Sequence, residues 1–473
     1  VKELLSMDAT TLATKIQNGE VTPIEATGAY IKHIHRVNPR LNALIQPRFQ
    51  QAKQEAKQLY QQYLAGNGSG RLFGVPVSIK ESFYVKGMKT TGGLPSRRNH
   101  VDEQDAEAVR RLKAEGAIIL GKTNTPSLCF CQETDNTVYG RTNNPWNLER
   151  TAGGSSGGEG VLIAVGGAAV GIGADIGGSI RFPAHFNGVI GFKSGKKQVS
   201  SEGCFPPLRE PLQENMLGIG ALAKSVNDAE LVHNIIADRP TPPVDIKQFQ
   251  FLIPPAHPAL PMQPETAETI DQIRSHLSET YIVHNDLPPF LEESALMWQL
   301  IMSVDGGKAL MNLAGRRGFA TILYEFLKSR IGLKPNLHFY LTWALLGANL
   351  FKPSPAQWQQ MLAELEQAEQ VVDQYLRNRV LILPVYHSAA PKHGKLYSEI
   401  FSIRRTFLKF MPYISYANTF GLPVLTVPVA TDQGGLPIGI QLITALGQEY
   451  ALFRVGKYFE QQFRGYVRCS AYD

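Results

Sequence analysis

One lysine and two serines set in glycine are the residues of this 473-residue chain best suited to covalent chemistry. Lys80 closes Gly74-Val75-Pro76-Val77-Ser78-Ile79-Lys80. Ser155 lies in Gly153-Gly154-Ser155-Ser156-Gly157-Gly158-Glu159-Gly160, and Ser179 in Asp175-Ile176-Gly177-Gly178-Ser179-Ile180-Arg181. A serine hydroxyl attacks a carbonyl only when a base takes its proton and donors receive the oxyanion that forms. Successive glycines let backbone N–H groups turn inward without Cβ clashes, so Ile176, Gly177, Gly178 and Ser179 are candidates for such an oxyanion nest. A lysine is a base only when neutral, and at the ordinary pKa of about 10.4 roughly one amine in 2,500 is neutral at pH 7. This reading therefore requires Lys80 to be buried, with its pKa depressed by several units.

Alternating strand and helix patterns would have to hold these residues. Asp8 caps a helix expected over 8–20, and Thr22-Pro23 starts a second. Residues 47–64 are polar and rich in Gln, Lys and Ala, a solvated helix that ends at Gly66-Asn67-Gly68. Strand patterns at 75–79 and 117–120 flank a helix at 105–115, an alternation that argues for a βαβ-rich sheet. From 153 to 195 the chain is dense in Gly, Ala, Ser and Val, as a tightly packed centre requires. The run 159–169 reads as a buried helix, followed by a short strand toward Asp175. Composition shifts near Pro240-Thr241-Pro242-Pro243, and 245–375 is mainly helical. Strand signals return at 380–385, 424–429 and 438–442, with a last helix reaching Phe463. The expected layout is a single domain over 1–473: N-terminal helices at 1–64, an α/β core at 65–240 and 376–473, and a helical insertion or cap at 245–375.

Two motifs invite other chemistry and fail on their mechanics. Gly116-Ala-Ile-Ile-Leu-Gly121-Lys122-Thr123 matches the P-loop letters, but its middle residues are themselves a strand. Asn124-Thr125-Pro126 would also break a helix begun at Lys122. Gly154-Ser155-Ser156-Gly157-Gly158 approaches the nucleophile elbow, with Ser156 as its serine and His387 or His393 downstream. That elbow must follow a strand, whereas 143–151 is polar and contains Pro145.

Composition narrows the class further. With 43% hydrophobic and 19% charged residues and a net charge of +6, the chain reads as an ordinary globular enzyme. The tight basic groups are only pairs, Arg97-Arg98, Arg316-Arg317 and Arg404-Arg405, so a nucleic-acid platform is not expected. The cysteines, Cys129, Cys131, Cys204 and Cys469, form no CxxC and no disulfide framework, which favours a reducing compartment. No metal-ligand spacing is apparent and no cofactor is expected. The N-terminus shows no signal peptide or spanning anchor, so a cytoplasmic location is expected. The most apolar long stretch, 337–351, is too short for a helix to span a bilayer. It reads as a core helix of the insertion, or alternatively as an interfacial patch or lid over a lipophilic channel, whose mouth Leu300, Ile301, Leu337, Phe339, Trp343, Leu346 and Leu350 would wall.

These motifs resemble the amidase signature family, and the likeness runs nearly end to end. It covers 74–80, Gly121-Lys122-Thr123-Asn124-Thr125-Pro126, Tyr139-Gly140-Arg141-Thr142-Asn143-Asn144-Pro145, 153–160 and 173–183. Late segments agree too: Leu383-Pro384, Ala390-Pro391, Gly421-Leu422-Pro423 and Gly435-Leu436-Pro437-Ile438-Gly439-Ile440-Gln441. Within the family, the Gly-Gly-Glu-Gly after the serines, Ile180-Arg181-Phe182-Pro183-Ala184-His185-Phe186-Asn187-Gly188 and Ala390-Pro391-Lys392-His393 look most like fatty-acid amide hydrolases of the second type, and Glu81 after the lysine resembles fatty-acid amide hydrolases generally. The resemblance implies a mixed twisted sheet covered by helices on both faces. It also implies a Ser–cis-Ser–Lys triad, with Ser179 as nucleophile, Ser155 as the bridge and Lys80 as base. Asp175 and Arg181 would form a supporting ion pair, Ser156 would be a backbone and side-chain hydrogen-bond partner, and Cys129 and Phe130 would line the acyl pocket. The expected ligand is a small-molecule amide with a lipophilic acyl group. Short-chain or aryl amides, esters and carbamates stay open. So do a non-catalytic or amidotransferase-type role within a larger complex, weak contact with a membrane surface and a homodimer.

Overall fold

Local signals set where the first helices begin. Thr22 Oγ accepts the Glu25 N–H at 3.1 Å and the Glu25 carboxylate accepts the Thr22 N–H at 2.9 Å, a reciprocal cap that starts the helix Pro23–Leu41. Asp8 caps the helix Ala9–Gln17 through the Thr11 N–H, and the polar stretch that follows forms Phe49–Leu64. The computed structural model describes residues 2–315, 318–401 and 404–473. The Arg316-Arg317 pair lies outside the described residues.

The β-branched runs assemble into one sheet. Its strands are β1 (Leu44–Pro47), β2 (Pro76–Lys80), β3 (Ile118–Thr123), β4 (Val170–Asp175), β5 (Ile190–Lys193), β6 (Gly218–Ala223), β7 (Gln250–Leu252), β8 (Val283–His284), β9 (Arg379–Pro384), β10 (Val424–Thr431) and β11 (Pro437–Ile443). These 11 strands lie in the order β1-β3-β2-β4-β6-β5-β10-β11-β9-β7-β8. The pairs β2/β3, β2/β4, β7/β8 and β7/β9 are parallel and the others antiparallel, so the sheet is mixed, the α/β fold expected. Alternation along β9 shows that both faces are covered: Val380 and Ile382 join one apolar cluster, Leu381 and Leu383 the other. The first cluster packs the sheet against the N-terminal helices and the helices Val226–Ile236 and Glu449–Gln462. The second packs it against Glu293–Met302, Pro355–Leu376 and Pro412–Thr419.

Two elements depart from the sequence reading and one agrees with it, each for a physical cause. The buried helix expected over 159–169 runs Gly157–Ala164, because Gly166 and Gly167 end it before β4 begins. Residues 118–123 are a strand through Lys122, whose amine meets the buried Asp102 carboxylate at 2.9 Å, so the P-loop letters carry no phosphate loop. The 245–375 segment is mainly helical, yet it also supplies β7 and β8, which extend the sheet beyond β9.

The helix Gly157–Ala164 explains the small-residue density around it. A Cβ on Gly158 would lie 2.4 Å from the Asn124 nitrogen and 2.8 Å from the Ala43 carbonyl oxygen, both backbone atoms that cannot step aside. Gly158→Ala is therefore expected to cost at least about 1–3 kcal/mol, read as a lower urea midpoint. An unchanged midpoint would refute this close approach.

Candidate active site

β2 and β4 are parallel neighbours, so their carboxyl ends open on the same edge of the sheet, where α/β folds place ligands. Lys80 is the last residue of β2 and 1% exposed. Its Nζ is hydrogen-bonded to Ser155 Oγ at 2.7 Å and lies 3.5 Å from the Ala174 carbonyl oxygen on β4. Ser155 sits just ahead of the helix Gly157–Ala164, after a cis peptide bond from Gly154. The Ser156 N–H donates to the Ser179 carbonyl at 3.0 Å, which ties the two serine loops together.

Beyond β4 the chain makes a tight turn organised by Asp175. Its carboxylate accepts the N–H of Gly178 at 2.8 Å, of Ile180 at 3.1 Å and of Arg181 at 3.3 Å, and pairs with the Arg181 guanidinium through two bonds of 3.0 Å. Both side chains are fully buried. Burial alone would raise the Asp175 carboxyl, but the charge and hydrogen bonds of Arg181 prevail and hold it well below the usual carboxylate range. Arg181 also reaches the Ile414 carbonyl, Gln441 and Asn418, which anchors the turn to β11 and to the helix Pro412–Thr419. Removing one partner of such a buried pair typically costs about 3–5 kcal/mol.

The turn corrects one element of the expected nest. The Gly178 N–H is committed to Asp175, leaving those of Ile176, Gly177 and Ser179 without an acceptor among the described residues. The Ser156 role is also narrower than expected. Its N–H is used, but its buried hydroxyl makes no hydrogen bond and lies against Gly173, because the apolar side of β4 offers no partner there. The Ser156–histidine alternative is not assembled. His387 pairs with Glu399 in a separate polar cleft, and His393 bonds the Leu148 carbonyl.

Lys80, Ser155 and Ser179 open on a cavity of about 350 Å³ that Cys129 and Phe130 also line, with Leu128, Phe205, Leu313 and Leu345 among its apolar walls. A second apolar cavity of about 520 Å³ lies under Trp343, Leu346, Phe351 and Phe407. Phe130, Met302 and Ala348 border both. Of the residues expected at a channel mouth, Trp343, Leu346 and Leu350 line the second cavity rather than the one holding Ser179, and Leu300, Ile301, Leu337 and Phe339 line neither. Burial pushes the Lys80 pKa down, against the weaker opposing pull of nearby acidic groups. One of these, Glu159, is itself pushed up to about 7 by burial, with Ser78 and Thr123 hydroxyls donating to it at 2.5 and 2.9 Å. Sequence reading missed Glu159 as a neighbour of the lysine. It also missed Gln132, Trp298 and Asn418, which hold carbonyls of the 175–177 turn.

Fold and site together describe an α/β enzyme with a buried lysine–serine pair at its strand ends. The amidase family matches over residues 25–453, and the chain belongs to that family, the amidase signature enzymes, which hydrolyse amides. It is 33% identical to fatty-acid amide hydrolase 2-B of Danio rerio, over 98% of this chain and 91% of that protein. It is 29% identical to indoleacetamide hydrolase of Bradyrhizobium diazoefficiens, over 92% of this chain and 83% of that one. A crystal structure of an amidase shares the fold with a TM-score of 0.81 and 27% identity, covering 97% of this chain and 100% of the other.

Burial of Lys80 has a measurable consequence. Its pKa is lower folded than unfolded, so unfolding takes up a proton at pH values between the folded pKa and 10.5. Wild-type stability therefore falls as pH drops through that window and levels off below it. Lys80→Met removes the group, so its Tm advantage over wild type is expected to grow as pH is lowered from 10 toward 7. A Tm difference independent of pH would overturn the depressed pKa.

Proposed function

We propose that this amidase is a serine hydrolase working through an acyl-enzyme, with Ser179 as nucleophile, Ser155 as proton relay and Lys80 as base. The observation that carries this is the 2.7 Å bond between a buried, pKa-lowered Lys80 and Ser155, in the cavity that Ser179 lines. A neutral Lys80 takes the Ser155 proton as Ser155 takes the Ser179 proton, and Ser179 Oγ adds to the amide carbonyl. The N–H groups of Ile176, Gly177 and Ser179 stabilise the oxyanion. The proton returns by the same route to the leaving amine as the C–N bond breaks. Water then hydrolyses the acyl ester with the same relay. Asp175 and Arg181 hold the turn and touch no reacting atom.

The walls support a substrate class. The cavity beside Ser179 is lined mainly by apolar side chains and borders a second apolar cavity at Phe130 and Met302. Each acyl methylene buried there contributes about 0.8 kcal/mol, which favours lipophilic acyl amides over short ones. The likeness to a fatty-acid amide hydrolase points the same way.

A fluorophosphonate probe is expected to label Ser179, as read by peptide mass, and Ser179→Ala to abolish labelling. Labelling at Ser156, or none in the wild type, overturns the mechanism. Lys80→Ala is expected to slow acylation about 10²–10⁴-fold, the usual contribution of a positioned base, with Ser155→Ala costing less. Across p-nitroanilides of increasing acyl length, kcat/KM is expected to rise. A maximum at the shortest chains would defeat the lipophilic class.

A further inference from the structure

The carbonyls of the turn after β4 are held one by one. The Asp175 carbonyl accepts from Asn418 Nδ2 at 3.3 Å, that of Ile176 from Trp298 Nε1 at 2.7 Å, that of Gly177 from Gln132 Nε2 at 3.0 Å, and that of Gly178 from the Phe182 N–H at 2.8 Å. In a planar trans peptide the C=O of one residue and the N–H of the next point in opposite directions. Fixing the Ile176 carbonyl therefore fixes the Gly177 N–H, just as Phe182 fixes the Ser179 N–H and Asn418 the Ile176 N–H. Among these three donors' clamps, the Phe182 clamp is local backbone. Asn418 is already engaged by Arg181 and Asp175. Trp298 differs: it comes from the helix Glu293–Met302, inside the 245–375 segment, and its indole N–H makes this single bond.

The ring also sets the position by contact. Trp298 is 5% exposed, and a Cβ on Gly177 would lie 2.8 Å from its Cζ2, so only glycine lets the turn approach the indole this closely. The same ring lines the second apolar cavity and the small space between it and Ser179.

We propose that Trp298 is a positioning residue for oxyanion stabilisation: by holding the Ile176 carbonyl away from the cavity, its indole N–H aims the Gly177 N–H at the oxyanion. This rests on the reading of Ser179 as nucleophile and of the turn's N–H groups as oxyanion donors. Losing a whole oxyanion donor costs about 10²–10³-fold in kcat. Releasing one donor's orientation, with the group still present, costs a part of that, about tenfold.

The test compares two ligands with one acyl chain, a trifluoromethyl ketone and its secondary alcohol. Addition of Ser179 Oγ to the ketone carbonyl, with the serine proton passed to the relay, gives an oxyanion. The alcohol fills the same space and forms none. In Trp298→Phe the ketone-to-alcohol affinity ratio is expected to fall about tenfold, and kcat to fall alike with KM changed little. Replacing Trp298 by benzothienylalanine, which keeps the bicyclic shape and lacks the N–H, is expected to do the same and guards against a folding defect in the phenylalanine variant. If both variants keep the wild-type ratio, or weaken ketone and alcohol equally, the positioning role is wrong. If the wild type shows no preference for the ketone, or Ser179→Ala retains that preference, the underlying serine mechanism fails instead.

Discussion

The proposed chemistry of this chain depends on keeping one amine uncharged. Moving an ammonium out of water is so costly that a buried lysine either finds an anion or gives up its proton. The fold holds buried lysines in both kinds of surroundings. Lys122 is as buried as Lys80, but it faces the Asp102 carboxylate at 2.9 Å. Lys193 and Lys224, pushed down to about 7 by burial, are surrounded by carbonyl and hydroxyl oxygens that make them structural ties. Lys80 has the Ser155 hydroxyl at 2.7 Å and one carbonyl at 3.5 Å. It alone of these four meets the hydroxyl of a serine that lines a cavity.

That difference requires the nearby acids to be occupied elsewhere. A carboxylate placed against Lys80 would favour its charged form and oppose the proposed base role, since opposite charges in a low dielectric favour both ionised forms. Asp175, close to the lysine on the neighbouring strand, spends its oxygens on Arg181, Asn418 and backbone N–H groups. Glu159 takes hydroxyl donors from Ser78 and Thr123, and burial raises its pKa to about 7, so it presents less negative charge to Lys80 than an exposed glutamate would. The ion pair and the hydroxyl pair are thus part of what sets the lysine, although neither group lines the cavity.

The parts of this arrangement legible in the sequence are those encoded locally. Thr22 and Asp8 mark helix starts because their caps close within three residues. β2, β3, β4, β9, β10 and β11 show as apolar runs bounded by breakers. β6, with the sequence Gly-Ile-Gly-Ala-Leu-Ala, has little side-chain pattern to read, and β7 and β8 are too short to show one. The same division holds in the site. Lys80, Ser155 and Ser179 stand in glycine-rich contexts whose meaning lies in their neighbours. Trp298 meets Ile176 from 122 positions away and Asn418 meets Asp175 from 243, and nothing beside either residue announces the bond. Ser156 differs for the converse reason: its neighbourhood suggests a side-chain hydrogen-bond partner, but its hydroxyl lies against Gly173 and makes no bond.

The second apolar cavity stands apart from the polar turn, which bears on how a lipophilic chain can affect rate. Burying an acyl chain equally in the bound substrate and the transition state lowers KM and leaves kcat unchanged. For chain burial to reach kcat, some group must belong both to the wall and to the hydrogen-bonded turn. Phe130 and Met302 border both cavities but bind only by contact. Trp298 has its ring in the wall and its N–H on the Ile176 carbonyl, and the glycine beside that carbonyl leaves no slack between them. A displacement of the ring by a chain in the second cavity is therefore a displacement of the peptide that carries the Gly177 N–H. In the proposed mechanism, this side chain couples the 245–375 segment to the chemistry.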